Sequence, residues 1–248
     1  MNKKLVVSVA LGGGLVMALL GATLFDAGRI PMAQASRVGD AQIAGINAGG
    51  SMAWVIATET GVVLVDAGWD SHAVALKEEI GDRQVHAILV THGHFDHTAA
   101  VRAFPNTPVI VGPGESALVK GEAAELGWMA AMSGVMAPDP FSPAALREFH
   151  DGELLEIDGV SIRALHTPGH TIGSAMYIYD DVLFTGDAIV GRGDKVNEIP
   201  KGTYTDYGIV RDSVQKVMEF PFERVADGHV GLHENARSQV QAFLNADG

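Results

Sequence analysis

Cysteine is absent from the 248-residue chain. Disulfides are therefore excluded, as are a thiolate metal ligand and a lipid anchor on an N-terminal cysteine. The lack suits an oxidising compartment without proving one. Basic residues are scarce: 17 Lys and Arg stand against 30 Asp and Glu, for a net charge of −13. A nucleic-acid groove needs clustered Lys and Arg, so nucleic acid is not an expected partner. The acidity reads chiefly as a solubility feature. No Gly-x-Ser-x-Gly is present to place a serine nucleophile on a strand-to-helix turn. No internal repeat is visible beyond two strand-rich halves. Charged residues make up only 19% against 47% hydrophobic. That balance excludes a disordered chain, and the length allows one domain with a sizeable core.

Charge is also missing from one long stretch near the start. Lys3 and Lys4 precede residues 5–25, an uncharged apolar run. As a helix it would span about 31 Å, close to the hydrocarbon thickness of a bilayer. Ala33-Gln34-Ala35 then offers a small-x-small cleavage site before Ser36. Two outcomes follow. Cleavage after Ala35 would release the protein. Retention would leave an anchor, with the lysines inside and the remainder outside. The length of the run favours the anchor; Gly12-Gly13-Gly14, which breaks a helix, favours cleavage. The expected organisation is residues 1–35 as signal peptide or membrane anchor and 36–248 as one domain. The expected location is periplasmic or extracellular, with membrane contact only through an uncleaved N-terminal segment.

The run Thr91-His92-Gly93-His94-Phe95-Asp96-His97 follows the apolar stretch Ala87-Ile88-Leu89-Val90. It offers four metal-ligating side chains within six residues, of the types zinc favours. A regular strand could not deliver all four to one ion. A sharp loop at a strand end could give His92 and His94 to one metal, and Asp96 with His97 to a second. Three later segments add His170 in Pro168-Gly169-His170, Asp187 in Thr185-Gly186-Asp187 and His229 in Asp227-Gly228-His229. Each follows a strand-like run and sits on a glycine-containing turn.

In this order, over roughly residues 53–244, the motifs resemble those of the metallo-β-lactamase-fold metallohydrolases. The resemblance implies a four-layer αββα sandwich, two mixed sheets flanked by helices, with a metal site at one edge of the sheets. It assigns His92, His94 and His170 to a first metal and Asp96, His97 and His229 to a second, with Asp187 bridging. The metals expected are two Zn²⁺, with iron or manganese as substitutes. Asp66, at the end of an earlier strand, would support the histidine loop by hydrogen bonding; Thr171 and Thr185 are weaker candidates for such support. His72, His86, His150, His166 and His233 read as structural or solvated. The implied chemistry is hydrolysis of an ester, lactone, thioester or β-lactam bond in a small molecule by a metal-bridging hydroxide. Asp96 would be the catalytic residue, orienting the nucleophile and carrying a proton to the leaving atom. The rival classes are a mononuclear iron oxidoreductase of the persulfide dioxygenase type and a non-catalytic binding protein on the same fold.

Within the resemblance some branches fit less well. The missing cysteine disfavours β-lactamases that use one as a ligand. Asp187 disfavours those without a bridging aspartate. Ala188-Ile189-Val190 stands where quorum-quenching lactonases place a tyrosine. The chain also runs on only to Gly248 beyond His229, without the expected room for the glutathione-binding domain of glyoxalase-II-type enzymes.

The remaining pattern predicts strands over 53–58, 62–66, 87–90, 109–111, two within 152–165, 175–179, 182–184 and 224–226. It predicts helices over 71–80 (capped by Ser71), 98–104, 207–220 and 234–244. Residues 122–149 form an insert with Trp128, Met129, Met132, Met136 and Phe141. Its apolar face would either roof the metals or pack as ordinary core. A loop over 191–207 carries Arg192, Lys195, Lys201, Tyr204 and Tyr207, which would bind a substrate carboxylate or stay solvated.

Overall fold

The computed structural model describes residues 37–40, 42–47, 49–123, 143–192, 195–198 and 206–246. The leader or anchor expected over 1–35, the Trp/Met face of the insert, Lys201 and Tyr204 lie outside them. No helix among the described residues is long and apolar enough to cross a membrane.

Two sheets dominate. The first holds seven strands in chain order: β1 (Arg37–Gly39), β2 (Ile43–Asn47), β3 (Met52–Ala57), β4 (Gly61–Val65), β5 (Gln84–Leu89), β6 (Val109–Val111) and β7 (Leu146–Glu148). Strands β1 to β4 pair antiparallel, and β4 to β7 run parallel. The second sheet uses β8 (Leu154–Ile157), β9 (Val160–His166), β10 (Ala175–Tyr179), β11 (Val182–Gly186), β14 (Arg224–Asp227) and β15 (Leu232–His233), in the order β15-β14-β11-β10-β9-β8. A small hairpin, β12 (Ile189–Arg192) and β13 (Lys195–Glu198), stands apart. Five α-helices are described: α1 (Val74–Ile80), α2 (Phe95–Thr98), α3 (Ser116–Val119), α4 (Tyr207–Val217) and α5 (Ala236–Ala246).

Continuous apolar runs such as Gly61–Val65, buried throughout, suit strands covered on both faces. The facing sheets enclose Trp54, Tyr177, Phe149, Phe184 and Ile162. The outer face of the first sheet packs on Leu76 and Ile80 of α1 and on Ala100 and Val101 of the 3₁₀ turn after α2. The outer face of the second packs on Val210, Val214 and Val217 of α4 and on Val240 and Leu244 of α5. This is the expected αββα order.

Several local expectations are corrected. Helix α1 begins at Val74 rather than Ser71, because the Asp70 carboxylate accepts from the His72 and Val74 N–H groups. The expected helix over 98–104 is instead α2 followed by 3₁₀ turns over Ala99–Ala103. The strands β1, β2, β7 and β15 are absent from the sequence-based expectation, which ends its strands at 224–226. Part of the expected loop over 191–207 is the β12–β13 hairpin, which pairs the exposed Arg192 opposite the exposed Lys195.

Strand polarity positions the site. β4, β5 and β6 run parallel, as do β11 and β14, and β9 shares the direction of β11 through their common antiparallel partner β10. Asp66, the His92–His97 loop, His170, Asp187 and His229 all lie just beyond the C-terminal ends of such strands. The sheets are tied together at this edge: Ala175 N–H donates to the Thr91 carbonyl (2.7 Å), and Met52 N–H to the Gly228 carbonyl (2.7 Å).

Candidate metal centre

The structure brings all seven expected ligands together at that edge. They form two adjoining groups, His92, His94, His170 and Asp187, and Asp96, His97 and His229. Within each group the nearest ligand-type atoms lie within 4.8 Å of one another. Asp187 faces both. Its Oδ2 lies 3.6 Å from His170 Nε2 and 4.0 Å from His92 Nε2. Its Oδ1 lies 3.2 Å from His97 Nε2 and 3.1 Å from His229 Nε2.

The outer nitrogens explain which inner atom each ring presents. His97 Nδ1–H donates to Asp66 Oδ2 at 2.8 Å, and His229 Nδ1–H to the Gly50 carbonyl at 2.9 Å. Thr91 Oγ1 gives its proton to Asp66 Oδ2 (2.7 Å) and so accepts from His92 Nδ1 (3.1 Å). With Nδ1 engaged outward, each ring turns Nε2 inward, the nitrogen a metal would take. His94 differs, with its Nδ1 3.0 Å from His170 Nε2.

This donor set fits metal. His92 Nε2 is buried without a hydrogen-bond partner, and so is Asp96 Oδ1. Tetrahedral zinc with nitrogens at ~2.0–2.1 Å holds them ~3.3 Å apart, close to the His94–His170 spacing. Burial, then repulsion from His97, His94 and His170, pushes His92 well below the ordinary imidazole value. Burial with His170 nearby takes His94 down to about 3, and burial also lowers His170. The first group is thus neutral imidazole, ready to coordinate. In the second, burial opposes charge, but Asp96, Asp187 and Asp66 raise His97 well above the ordinary value. Asp187 likewise outweighs burial at His229 and raises it to about 9. Without metal, those two protons hold the place of a cation beside Asp187. Burial opposes ionisation of Asp187 itself, yet His97 and His229 hold its carboxyl well below the usual range.

Buried carboxylates frame the ligand loops. Asp66, in a left-handed conformation at φ 57°, also accepts from Thr91 N–H at 2.7 Å. Asp227, fully buried, accepts from the N–H groups of His229 (2.8 Å) and Gly191 (2.6 Å) and pairs with His233 Nε2 (2.6 Å). Glu115, also fully buried, lies against the first ligand group. Neither Asp227 nor Glu115 carries a local sequence signal that marks it as a support. Asp227-Gly228-His229 was visible as a turn, whereas Glu115 looks like any acidic residue opening a helix. Thr171 bonds Glu115, and Thr185 bonds the Ile189 carbonyl at 2.7 Å. His86 pairs with Asp158 (3.0 Å), and His166 Nε2 lies 3.1 Å from the Ile172 carbonyl. Gly228 has no room for a side chain: a Cβ would stand 2.6 Å from Asp187 Oδ1 and 2.8 Å from His97 Cε1.

Comparison with known proteins agrees with this geometry. Residues 46–246 match the model of the metallo-beta-lactamase superfamily, and the chain belongs to that family. Its relatives include an atrochrysone carboxyl ACP thioesterase of Aspergillus chevalieri, 29% identical over 66% of this chain and 48% of the relative. The chain thus spans about half the length of that fungal enzyme. Hydroxyacylglutathione hydrolase GloC of Haemophilus influenzae is 30% identical over 59% of this chain and 69% of its own. Among solved structures, BLEG-1 B3 metallo-beta-lactamase is 26% identical, with a TM-score of 0.62 over 81% of this chain and 98% of its own. A metallo-beta-lactamase superfamily protein from Sulfolobus tokodaii, 22% identical, shares the fold with a TM-score of 0.67 over 84% and 86%. These relatives are named as thioesterase, hydrolase and β-lactamase.

Proposed function

We propose that the chain is a dinuclear zinc hydrolase of small-molecule acyl bonds, with thioesters ahead of esters, lactones and β-lactams. The observation that carries this reading is the pair of ligand groups sharing Asp187. In this reading His92 Nε2, His94 Nδ1 and His170 Nε2 hold one ion, Asp96, His97 and His229 the other, and Asp187 both. A pair of zinc ions supplies a nucleophile at neutral pH and polarises the scissile carbonyl. Asp96 is the residue with a proton to move. Its Oδ2 lies 3.6 Å from His97 Nε2 and its Oδ1 has no partner, so it has capacity to take a proton and hand it to the leaving atom.

Two observations favour an acyl substrate. Ile172 (70% exposed) and Val230 (50% exposed) stand beside the ligand-bearing turns, and Trp69 meets Phe95 edge-on at 5.4 Å beside His94. These residues give the rim apolar surface, which suits an acyl chain better than a phosphate backbone. The relatives named as thioesterase and hydroxyacylglutathione hydrolase point the same way. The proposal extends to location: residues 5–25 export the enzyme, and Ala35 precedes the cleavage point.

The test is a panel of thioester, ester, lactone, β-lactam and phosphoester substrates, run with metal quantification. Two zinc ions per chain and thioester turnover, reduced at least a hundredfold in Asp96→Ala, are expected. One iron per chain with oxygen uptake would replace hydrolysis by oxidation. Fractionation of cells expressing the full chain should recover it outside the cytoplasm, shortened at Ala35.

A further inference from the structure

We propose that Glu115 is a positioning residue that sets the spacing between His94 and His170, and so the geometry and affinity of the first metal. The inference rests on the metallohydrolase reading above.

Glu115 leads into α3, at the end of the loop after β6 in the first sheet. Its carboxylate reaches across to the β9–β10 turn of the second sheet. Oε1 accepts from Gly93 N–H at 2.5 Å and from the Thr171 hydroxyl at 2.9 Å. Oε2 accepts from Gly173 N–H at 2.8 Å. Gly93 lies between His92 and His94, and Thr171 follows His170. One side chain therefore grips both sequence-distant halves of the first ligand group.

With Glu115 ionised, the protons take one arrangement. Thr171 N–H donates to Ser174 Oγ at 2.8 Å, and the two hydroxyls lie 2.7 Å apart. The Thr171 proton goes to Glu115, so Ser174 donates to Thr171. All three contacts on Glu115 are donors, so the group acts only as an acceptor and an amide cannot replace it. The backbones are pressed together here as well. A Cβ on Gly173 would lie 2.6 Å from Glu115 Cβ, and one on Gly112 would lie 2.0 Å from the Gly173 carbonyl oxygen. The turn cannot retreat into a different contact without parting from the β6 loop. A carboxylate supporting ligands through hydrogen bonds typically changes metal affinity 10–100-fold when removed.

The experiment titrates metal-free wild type, Glu115→Gln and Thr171→Val with Co²⁺, following the visible absorption and competition by a chelator. Wild type should take up two ions. Glu115→Gln should bind the first-site ion 10–100-fold more weakly, with an altered d–d spectrum, and the second within about twofold of wild type. Thr171→Val, which removes one contact of three, should show a smaller shift in the same direction. It keeps the test decisive if Glu115→Gln fails to fold. Two-ion binding by both variants with wild-type affinities and spectra would overturn the role of Glu115 alone. A wild-type chain that takes up no cobalt would overturn the metallohydrolase reading, and this proposal with it.

Discussion

Asp66 Oδ2 stands 2.8 Å from His97 Nδ1, and this one contact decides which nitrogen His97 turns toward Asp187. The same carboxylate holds the N–H and hydroxyl of Thr91. Asp66→Ala strands buried donors at a cost of about 1–3 kcal/mol for each group left unpaired. It also frees the His97 ring to take the other tautomer. A lower denaturant midpoint and a 10–100-fold weaker second metal ion in chelator competition are the expected results.

Metal uptake should release protons unevenly. Coordination needs neutral imidazole. His92, His94 and His170 are already neutral at pH 7, whereas His97 and His229 carry protons in the metal-free protein. The ion entering beside His97 and His229 should expel about two protons, and the other almost none. Calorimetry at pH 7 in buffers of different ionisation enthalpy would read the difference. Affinity at that second site should climb with pH until about 9, where His229 titrates.

The same shifts give the metal-free protein a stability maximum. The lowered histidines bind fewer protons folded than unfolded, so stability rises with pH up to the ordinary value of 6.5. His97 and His229 are raised. Their contribution is complete below 6.5 and is lost as pH climbs through about 9. Denaturant midpoints of metal-free protein should peak near pH 6.5. A metal-saturated sample should lack the fall between pH 7 and 9.

Gly228→Ala inserts a methyl between Asp187 and His97. Turnover should drop at least tenfold, on the order of the penalty for displacing reacting groups by ~1 Å. Zinc content should fall below two per chain. Gly208→Ala in α4 is the control, since a Cβ there meets nothing nearer than 3.4 Å. It should leave turnover intact.

Trp54 offers a core test with a functional readout. It packs edge-on against Phe184 at 5.9 Å, and its Nε1–H donates to the Asp227 carbonyl at 3.0 Å. Trp54→Phe should cost about 1–3 kcal/mol, since the carbonyl loses its donor. It should also loosen the turn that carries His229, raising the zinc requirement for turnover. Trp54→Ala should cost about 3–5 kcal/mol.

Much of this was legible in the chain. The His92–His97 run is a local signal, because four ligating side chains in six residues have few other uses. The strands around Asp158-Gly159 and over 175–184 announce themselves by apolar alternation and turn residues. What stayed hidden depends on contacts between distant residues. β2 reads as Ile43-Ala44-Gly45-Ile46-Asn47, a weak pattern. It is a strand because the Trp54 ring lies over Gly45, where a Cβ would come within 2.5 Å. The β12–β13 hairpin carries Arg192, Lys195 and Glu198, which look like solvated loop. Glu115 is buried only by the meeting of loops from opposite sheets, an event no local window contains.

The ligand list divides along the same line as the sandwich. His92, His94, Asp96 and His97 come from the first sheet, and His170, Asp187 and His229 from the second. Each ligand group draws on both halves, so in the proposed reading a fluctuation that opens the seam would also loosen bound metal. Chelation should therefore act on the whole molecule, as if a rivet had been drawn from between two plates.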